Sequence, residues 1–488
     1  MVVAHPILTC AEAKDFEAAF FGGDEEREWA AMQKAGAAVG EAVLKDFLEI
    51  GGFPSAGRVL VLAGKGHNAG DALIAARKIR ELHPQACIEV RFVFGERVLR
   101  PLAQRAWREL APVAMSVSEW AGEGYDLVLD GVFGYQFRPP LEAKLSKLLA
   151  EVNVLPIRFR AAVDLPSGLV EPSAFRADFT YATGMVKSPL LTLTNAGRLR
   201  YLDLGLNLQS DKTVCHVLRD KRNWVITAAT LAPLRGLRAS GSDKRTYGHL
   251  FVVGGSRNYP GAVLMSVLAA LHSGAGLVTA FVPESLVAAF AARVPEAMWV
   301  GWPETPEGGL ALEGTHLLRE KISRATALLI GPGLGREPET LALVKDIVAQ
   351  SAVPLVIDAD ALQPDIVAAG NAPRILTPHA GEWARIERAT LPPDAVTVLK
   401  GPVTRILAGA KSYHSFFGGP VLARGGSGDL LAGLTAGLLA QTPADPTGAA
   451  TRGVVWHGMA ADELARARGQ VAVTTTQLLD FLPVVLRT

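Results

Sequence analysis

The residues best suited to chemistry lie in one stretch, residues 423–439, with the sequence ARGGSGDLLAGLTAGLL. Gly425, Gly426 and Gly428 allow the backbone to curl and present successive N–H groups. A following helix would add free donors and the positive end of its dipole, which predicts an anion site with phosphate as the favoured anion. Asp429 would repel that anion unless it orients a neighbouring hydroxyl or takes a proton from it. Taken alone, the pattern also fits a glycine turn followed by a helix-capping Asp.

The composition bounds the class of protein that carries this stretch. A chain of 488 residues with 49% hydrophobic and 20% charged residues predicts two or three packed domains. A net charge of +1 without a basic run argues against a nucleic-acid partner. Three widely spaced cysteines suggest neither a disulfide framework nor a zinc site, and a cytoplasmic location is expected. The most apolar run, residues 262–278, contains His272 and two glycines, so no membrane span is predicted.

The first half alternates short aliphatic runs with glycine loops and helical patterns. A strand at residues 58–63 leads into the loop GKGHNAGD and then a helix, and later strands end at Asp130 and Asp164. Because the carboxyl ends of parallel strands share one sheet edge, Asn68, Asp130 and Ser167 could converge as oxygen ligands of a monovalent or divalent cation. Each Asp alone could instead cap a helix.

The second half repeats the alternation and predicts a parallel sheet with its unusual loops gathered at one edge. Strands are expected before the loops GSRNYPGA, GPGLGRE, DADAL, TPHAGE and KGPVT. We expect TPHAGE to form a turn capped by Thr377, with His379 and Glu382 exposed at its end.

Five motifs of the first half, in order, resemble the epimerase domain of the NAD(P)H-hydrate repair enzymes over residues 7–208. They are GKGHNAGD, DGVFGYQFRPP, AVDLPSG, ADFTYATGMVKSPLL and YLDLGL. The resemblance implies that Asp164 contacts the substrate as the acid/base candidate. It also implies that Asn68, Asp130 and Ser167 hold a potassium ion. The implied contacts with the hydrated dinucleotide are His67, Asn68, Ala69, Gly70, Asp71, Gly134, Tyr135, Gln136, Phe137 and Arg138.

One loop departs from the family pattern. The family sequence NNGGDG is replaced here by HNAGDA, which puts His67 in place of Asn and Ala69 and Ala72 in place of glycines. Alanine matches glycine only where φ is negative. A non-catalytic binding module therefore remains an alternative for the first domain.

Seven motifs of the second half, in order, resemble the nucleotide-dependent NAD(P)H-hydrate dehydratase, a ribokinase-like protein, over residues 224–486. They are GSxxxPGA, SGAGLVT, GPGLG, DADAL, TPHAGE, LKGPVT and GGSGDLLAG. The resemblance implies that Asp429 is the catalytic base and contacts the hydrate. Further implied contacts with the hydrate are Ala262, Gly333, Gly335 and His379. The implied contacts with the adenine nucleotide are Lys400, Gly401, Pro402, Val403, Thr404 and Gly428.

These resemblances imply two three-layer α/β/α domains, the N-terminal one Rossmann-like and the C-terminal one ribokinase-like. We place them at residues 1–212 and 224–488, with a linker at residues 213–223. The expected function is repair of hydrated NADH and NADPH, in which one domain epimerises the R and S hydrates and the other dehydrates the S form by phosphorylating its hydroxyl. ADP or ATP, Mg²⁺ and K⁺ are the expected cofactors. The expected partners are small molecules and further copies of the chain. A ribokinase-like kinase of a small alcohol such as a vitamin precursor is the alternative.

Overall fold

The computed structural model describes residues 2–206 and 221–487 and divides into two compact units. The first unit consists of His5–Lys221 and Ala465–Gln470, and the second of Met1–Ala4, Arg222–Leu464 and Val471–Thr488. The predicted boundary at residue 212, most of the predicted linker and Cys215 lie outside the described residues. The division also differs from two contiguous domains, because short terminal segments belong to the opposite units.

A seven-stranded parallel sheet forms the centre of the first unit. Its strands are β2 (Arg58–Ala63), β3 (Cys87–Phe92), β4 (Ala114–Ser116), β5 (Tyr125–Gly131), β6 (Ile157–Val163), β7 (Phe179–Thr183) and β8 (Arg198–Leu202). Their order is β4-β3-β2-β5-β6-β7-β8, and each neighbouring pair is parallel. Parallel strands need crossover connections, which the intervening helices supply.

Helices cover both faces of this sheet, as the two cores beside β2 show. Val59 and Val61 belong to one core and Leu60 and Leu62 to the other, because successive side chains of a strand point to opposite faces. The helices of the first unit are Cys10–Phe21, Glu25–Phe47, His67–Leu82, Pro101–Leu110 and Ala143–Val154. The expected three-layer α/β class of the first half is confirmed.

The second unit is built on an eleven-stranded mixed sheet. Ten of its strands lie wholly in this unit: β9 (Asn223–Ile226), β10 (His249–Val253), β11 (Leu277–Pro283), β12 (Met298–Trp302), β13 (Ala327–Ile330), β14 (Leu355–Ile357), β15 (Arg374–Leu376), β16 (Val396–Leu399), β17 (Thr404–Ala408) and β18 (Lys411–Ser415). The remaining strand, β1 (Ala4–Pro6), begins at Ala4, where the first segment of the unit ends. The order is β1-β9-β18-β17-β16-β15-β14-β13-β10-β11-β12. In this order, every neighbouring pair of strands between β16 and the edge strand β12 is parallel, as expected.

One part of this sheet differs from the sequence expectation. β17 is antiparallel to both of its neighbours, β16 and β18, so KGPVT forms the connection of a hairpin and not a crossover loop. The helices are Pro260–His272, Val287–Arg293, Thr315–Arg319, Pro338–Gln350, Pro364–Val367, Ala380–Ile386, Ser427–Gln441, Pro446–Arg468 and Leu482–Arg487. Among the described residues no helix combines the length and apolarity that crossing a membrane requires.

Candidate active sites

The glycine stretch of the second unit leads into a helix whose first turn contains both Gly428 and Asp429. The helix Ser427–Gln441 begins after Gly426, which adopts a left-handed φ of 90°. Side-chain bonds fix the turn before it, since Ser427 Oγ donates to the Leu422 carbonyl at 2.7 Å and Thr475 Oγ1 donates to the Gly425 carbonyl at 2.8 Å. Asp429 therefore lies inside the first helical turn, among the free N–H groups that suit an anion.

Asp429 lies in a charged environment formed by strand-end residues. Burial raises its pKa to about 7; the charge of Asp358 adds to the increase, whereas Lys400 opposes it. Lys400 Nζ lies 3.2 Å from Asp358 Oδ1 and 3.8 Å from Glu382 Oε2. A methyl group built on Gly428 would be 3.2 Å from Lys400 Nζ, so the ammonium reaches the first turn of the helix. The site thus combines a carboxylate whose pKa lies near 7 with the ammonium group of Lys400, which two other carboxylates hold in place.

The TPHAGE segment differs from its predicted structure. Thr377 is buried and donates to Asp358 Oδ1 at 2.7 Å, whereas His379 caps the helix Ala380–Ile386 by accepting from Gly381 N and Glu382 N. Glu382 was expected to be exposed, but its side chain is only 12% exposed because it accepts from His379 N and faces Lys400. Asp358, Thr377 and Glu382 belong to this site although the sequence did not single them out as site residues. The available signal was that Asp358 and Thr377 directly follow β14 and β15, and that Glu382 lies in the first turn of the next helix.

The remaining predicted contacts of the second unit fall into two groups. A methyl group built on Gly333 would lie 3.1 Å from Ala262 Cβ, so these two residues adjoin each other. Gly335 N donates to Asp360 Oδ2 at 3.1 Å. The predicted nucleotide contacts Gly401, Pro402 and Val403 follow Lys400 in the turn between β16 and β17, and Thr404 is the first residue of β17.

The first unit contains a cavity of about 620 Å³ at the carboxyl edge of its sheet. Its lining includes most of the predicted dinucleotide contacts: His67, Asn68, Asp71, Gly134, Tyr135, Gln136, Phe137, Arg138 and Asp164. Ala69 and Gly70 do not line it. Residues 67–71, predicted as a loop, are the first turns of the helix His67–Leu82; Ala69 is fully buried in the core, and a methyl group on Gly70 would meet Met32 Sδ at 2.4 Å.

Asn68, Asp130 and Ser167 come together around the backbone of Phe133. Asn68 Nδ2 donates to the Phe133 carbonyl at 2.9 Å, and Phe133 N donates to Ser167 Oγ at 2.9 Å. Ser167 donates to Asp130 through both Oγ, at 2.6 Å, and its backbone N, at 2.7 Å. Burial raises the pKa of Asp130 to about 6 despite these bonds. One carboxylate among neutral oxygens fits a weakly charged cation such as K⁺ better than a divalent one.

Asp164 is held in an ion pair that the sequence reasoning missed. It follows β6 with a left-handed φ of 65°, a conformation that Asp tolerates better than most residues. Lys187 Nζ lies 2.6 Å from Asp164 Oδ1, and Tyr135 N donates to Asp164 Oδ2 at 3.1 Å. Both side chains are almost fully buried. Lys187 lies within the motif GMVKSPLL, but nothing in that motif indicated which carboxylate it would meet.

The comparisons with known proteins cover both units. Residues 250–484 match a family model described as NAD(P)H-hydrate dehydratase, and residues 29–188 match one described as YjeF-related protein N-terminus. The bifunctional NAD(P)H-hydrate repair enzyme of Moorella thermoacetica is 34% identical over 93% of this chain and 92% of its own length. The enzyme of the same name from Gloeobacter violaceus is also 34% identical, over 98% and 97%.

A solved structure from Bacillus subtilis, an ADP/ATP-dependent NAD(P)H-hydrate dehydratase co-crystallised with ATP and Mg²⁺, is 28% identical. It covers 51% of this chain and 93% of its own, with a TM-score of 0.43. The family assignment rests on the two relatives that match over nearly the full length of the chain. They favour the repair enzyme over the small-alcohol kinase. The chain belongs to the family of bifunctional NAD(P)H-hydrate repair enzymes.

Proposed function

We propose that the second unit dehydrates hydrated NADH and NADPH with Asp429 as the base and an adenine nucleotide as the phosphoryl donor. The observation that carries this proposal is the position of Asp429 in the first turn of the helix Ser427–Gln441, beside the buried pair of Lys400 and Asp358. The hydrate carries a hydroxyl on a saturated ring, and hydroxide is a poor leaving group. Asp429 takes the hydroxyl proton as the oxygen is phosphorylated, and the ring nitrogen then expels the phosphate and forms a C=N⁺ bond. Loss of a proton from the neighbouring ring carbon then gives NADH or NADPH.

The backbone of the glycine stretch and Lys400 stabilise the negative charge of the transferring phosphoryl group. The turn from Lys400 to Thr404 holds the nucleotide. Within the described part of the chain, no three His, Cys, Asp or Glu side chains are grouped as a metal site. Mg²⁺ would therefore be held mainly by the nucleotide phosphates, whose charge it neutralises, as is common for this ion. Either ADP or ATP can supply the phosphoryl group in this scheme.

We further propose that the first unit interconverts the R and S hydrates in its 620 Å³ cavity, with Asp164 contacting the substrate. Asn68, Asp130 and Ser167 would hold a K⁺ ion, which supplies positive charge at the sheet edge. A chiral dehydratase site accepts one epimer, the S form, so the first unit makes the other epimer available. The cavity and the buried Asp164–Lys187 pair favour a catalytic unit over a passive binding module.

The dehydratase proposal is tested with the Asp429→Asn variant of the full chain. We expect nucleotide binding and thermal stability to stay near those of the wild type while turnover of the S hydrate falls by about 10²- to 10⁴-fold. The matched control is Asp346→Asn, which changes an exposed Asp of the helix Pro338–Gln350. Turnover in Asp429→Asn equal to that of the control would rule out the base assignment, and phosphorylation of a vitamin alcohol without NADH recovery would favour a kinase.

The cation proposal is tested by following epimerisation in KCl, NaCl and tetramethylammonium chloride. Ser167→Ala removes one oxygen ligand, and we expect it to weaken the dependence on K⁺. Epimerisation at the same rate in all three salts would contradict the cation site.

A further inference from the structure

Five carboxylates line the cavity of the first unit, and three of them interact electrostatically with Lys187 but differ in how they are paired. These three carboxylates are Glu17, Asp71 and Asp164. Lys187 is the buried cation among them. Glu17 accepts a hydrogen bond from the Tyr135 hydroxyl. A site that needs an acid and a stable anion can obtain both when its carboxylates have different surroundings.

Both carboxylate oxygens of Asp164 contact neighbouring groups of the protein. Oδ1 lies 2.6 Å from Lys187 Nζ and Oδ2 accepts from Tyr135 N. Hydrogen bonds that involve an ionised partner are among the stronger ones. Both oxygens of Asp164 are thus occupied by donors of the protein itself.

Asp71 lines the same cavity without such partners. Within residues 2–206 and 221–487, no hydrogen bond or ion pair occupies its carboxylate. Burial raises its pKa well above the ordinary range, the charges of Asp164 and Glu17 raise it further, and Lys187 opposes them. The protonated form of this carboxyl group is thereby favoured, and the group is placed to bond to a ligand in the cavity.

We propose that Asp71 is the general acid of epimerisation, and that Asp164, held in place by Lys187 and Tyr135 N, faces the positively charged ring that forms. This inference rests on the proposed epimerase function of the first unit. It assigns Asp71 a proton-transfer role, where the family resemblance implies only substrate contact. It also makes Lys187 a positioning residue that holds Asp164 Oδ1 in place.

The proposed step balances without an oxidant or a metal. Asp71 gives its proton to the ring hydroxyl, the C–O bond breaks as the ring nitrogen lone pair forms a C=N⁺ bond, and water leaves. A water molecule then adds to the opposite face of that carbon, and the proton it loses returns to Asp71. The net change is inversion at one carbon, and the oxygen of the product comes from solvent.

The charged groups around Asp71 determine the pH at which it acts. Glu17 faces the cavity from the helix Cys10–Phe21, Glu28 from the helix Glu25–Phe47, and Asp164 and Lys187 from the ends of β6 and β7. The other titratable or charged residues that line the cavity are Lys14, Lys65, His67, Arg100, Tyr135, Arg138 and Glu142. A general acid acts while protonated, so the epimerisation rate should fall as the pH rises through the pKa of Asp71.

The test compares the full-length wild type with Asp71→Asn, which keeps the shape and neutrality of a protonated Asp but has no acidic proton. We expect kcat for hydrate epimerisation to fall by about 10²- to 10⁴-fold with unchanged thermal unfolding. The matched control is Glu81→Gln, which alters an exposed acid of the same helix and should epimerise like the wild type. A rate in Asp71→Asn equal to that of the control would overturn the inference.

Two further measurements distinguish a proton donor from a structural residue. Glu17→Gln removes a negative charge beside Asp71 and should move the descending limb of the pH profile to lower pH. In H₂¹⁸O each inversion should introduce one solvent oxygen; inversion that retains the original oxygen would overturn the proposed step. If the wild type itself does not interconvert the epimers, the proposed epimerase function fails, which is a different result from an active wild type and an equally active Asp71→Asn.

Discussion

A carboxylate whose pKa lies near 7 can hold or release a proton at physiological pH, and Asp429 is such a group. Its pKa is raised mainly by burial and by Asp358, while Lys400 keeps the ionised form accessible. A base of this kind needs little free energy to become ionised and still accepts a proton readily. The environment of Asp429 therefore matches the role proposed for it.

This environment predicts the direction of the pH dependence. The base acts when ionised, so kcat/KM for dehydration should rise as the pH rises through about 7 and level off above it. The measurement is initial NADH formation from the S hydrate at fixed nucleotide between pH 5.5 and 9. A rate independent of pH across this range, with chemistry shown to be the slow step, would be inconsistent with Asp429 as the base.

The sequence identified individual site residues better than it identified which residues form ion pairs with each other. The strand-end acids Asp130 and Asp164 and the glycine-flanked Asp429 were visible because strand, loop and helix patterns surround them. The partner of Asp358 is Lys400, and that of Asp164 is Lys187. Such pairs join separate strand ends, and local spacing contains no information about which ends become neighbours.

At the scale of elements, the entry into the helix Ser427–Gln441 depends on one glycine conformation. Gly426 has a φ of 90°, a region that side chains other than glycine rarely adopt, and a methyl group there would lie 2.5 Å from Met265 Sδ. At Gly425 a methyl group would meet nothing within 4 Å. The backbone and the packing at position 426 thus require glycine, whereas the space at position 425 admits a methyl group.

We therefore expect Gly426→Ala to lower the free energy of unfolding by about 1–3 kcal/mol and to weaken nucleotide binding by displacing the first turn. Gly425→Ala is the matched control and should be nearly neutral in stability. Chemical denaturation and calorimetric titration with ADP measure the two effects. Equal stability of the two variants would show that the turn tolerates the substitution.

Element types were predictable and their exact limits and pairings were not. Alternation of aliphatic runs and helical patterns predicted the parallel strands of both sheets. The hairpin of β16 and β17 was missed because β17 is a short mixed strand whose antiparallel pairing depends on its neighbours. The helix at His67 was predicted to start later, since glycine-rich sequence is typical of loops, whereas here Gly70 allows close packing against Met32.

At the scale of the whole molecule, each compact unit includes a segment from a distant part of the chain. Residues 465–470 belong to the first unit, where Arg466 Nη2 lies 2.7 Å from Asp46 Oδ1 and Gln470 bonds to Glu49. Asp46 is almost fully buried and also pairs with Arg200 at 2.9 Å. Burial would raise the pKa of Asp46, but the pairing with Arg200 and Arg466 outweighs it and lowers the pKa.

We expect Arg466→Met to destabilise the first unit by about 1–3 kcal/mol at pH 7, since a buried carboxylate loses one charged partner. A depressed pKa contributes stability above the unfolded pKa of about 4 and loses it as the pH falls through the folded value. Acid unfolding should therefore begin at a higher pH in Arg466→Met than in the wild type or in Arg97→Met, an exposed control. Thermal unfolding between pH 3 and 8 measures this, and superimposable curves would contradict it.

The sequence did not predict this exchange of segments, because a contact 420 residues apart leaves no local periodicity. A fragment that ends at residue 221 would lack both Arg466 and Gln470. Activity of the first unit is therefore best measured in the full chain.

The most direct test of two cooperating activities is the time course of NADH recovery from an equimolar mixture of R and S hydrates with ADP and Mg²⁺. The wild type should convert the whole mixture to NADH. Asp164→Asn should convert the S half at the wild-type rate and then slow to the spontaneous rate of epimerisation. The account is contradicted if the wild type also stops at the S half, or if no NADH forms although the nucleotide binds.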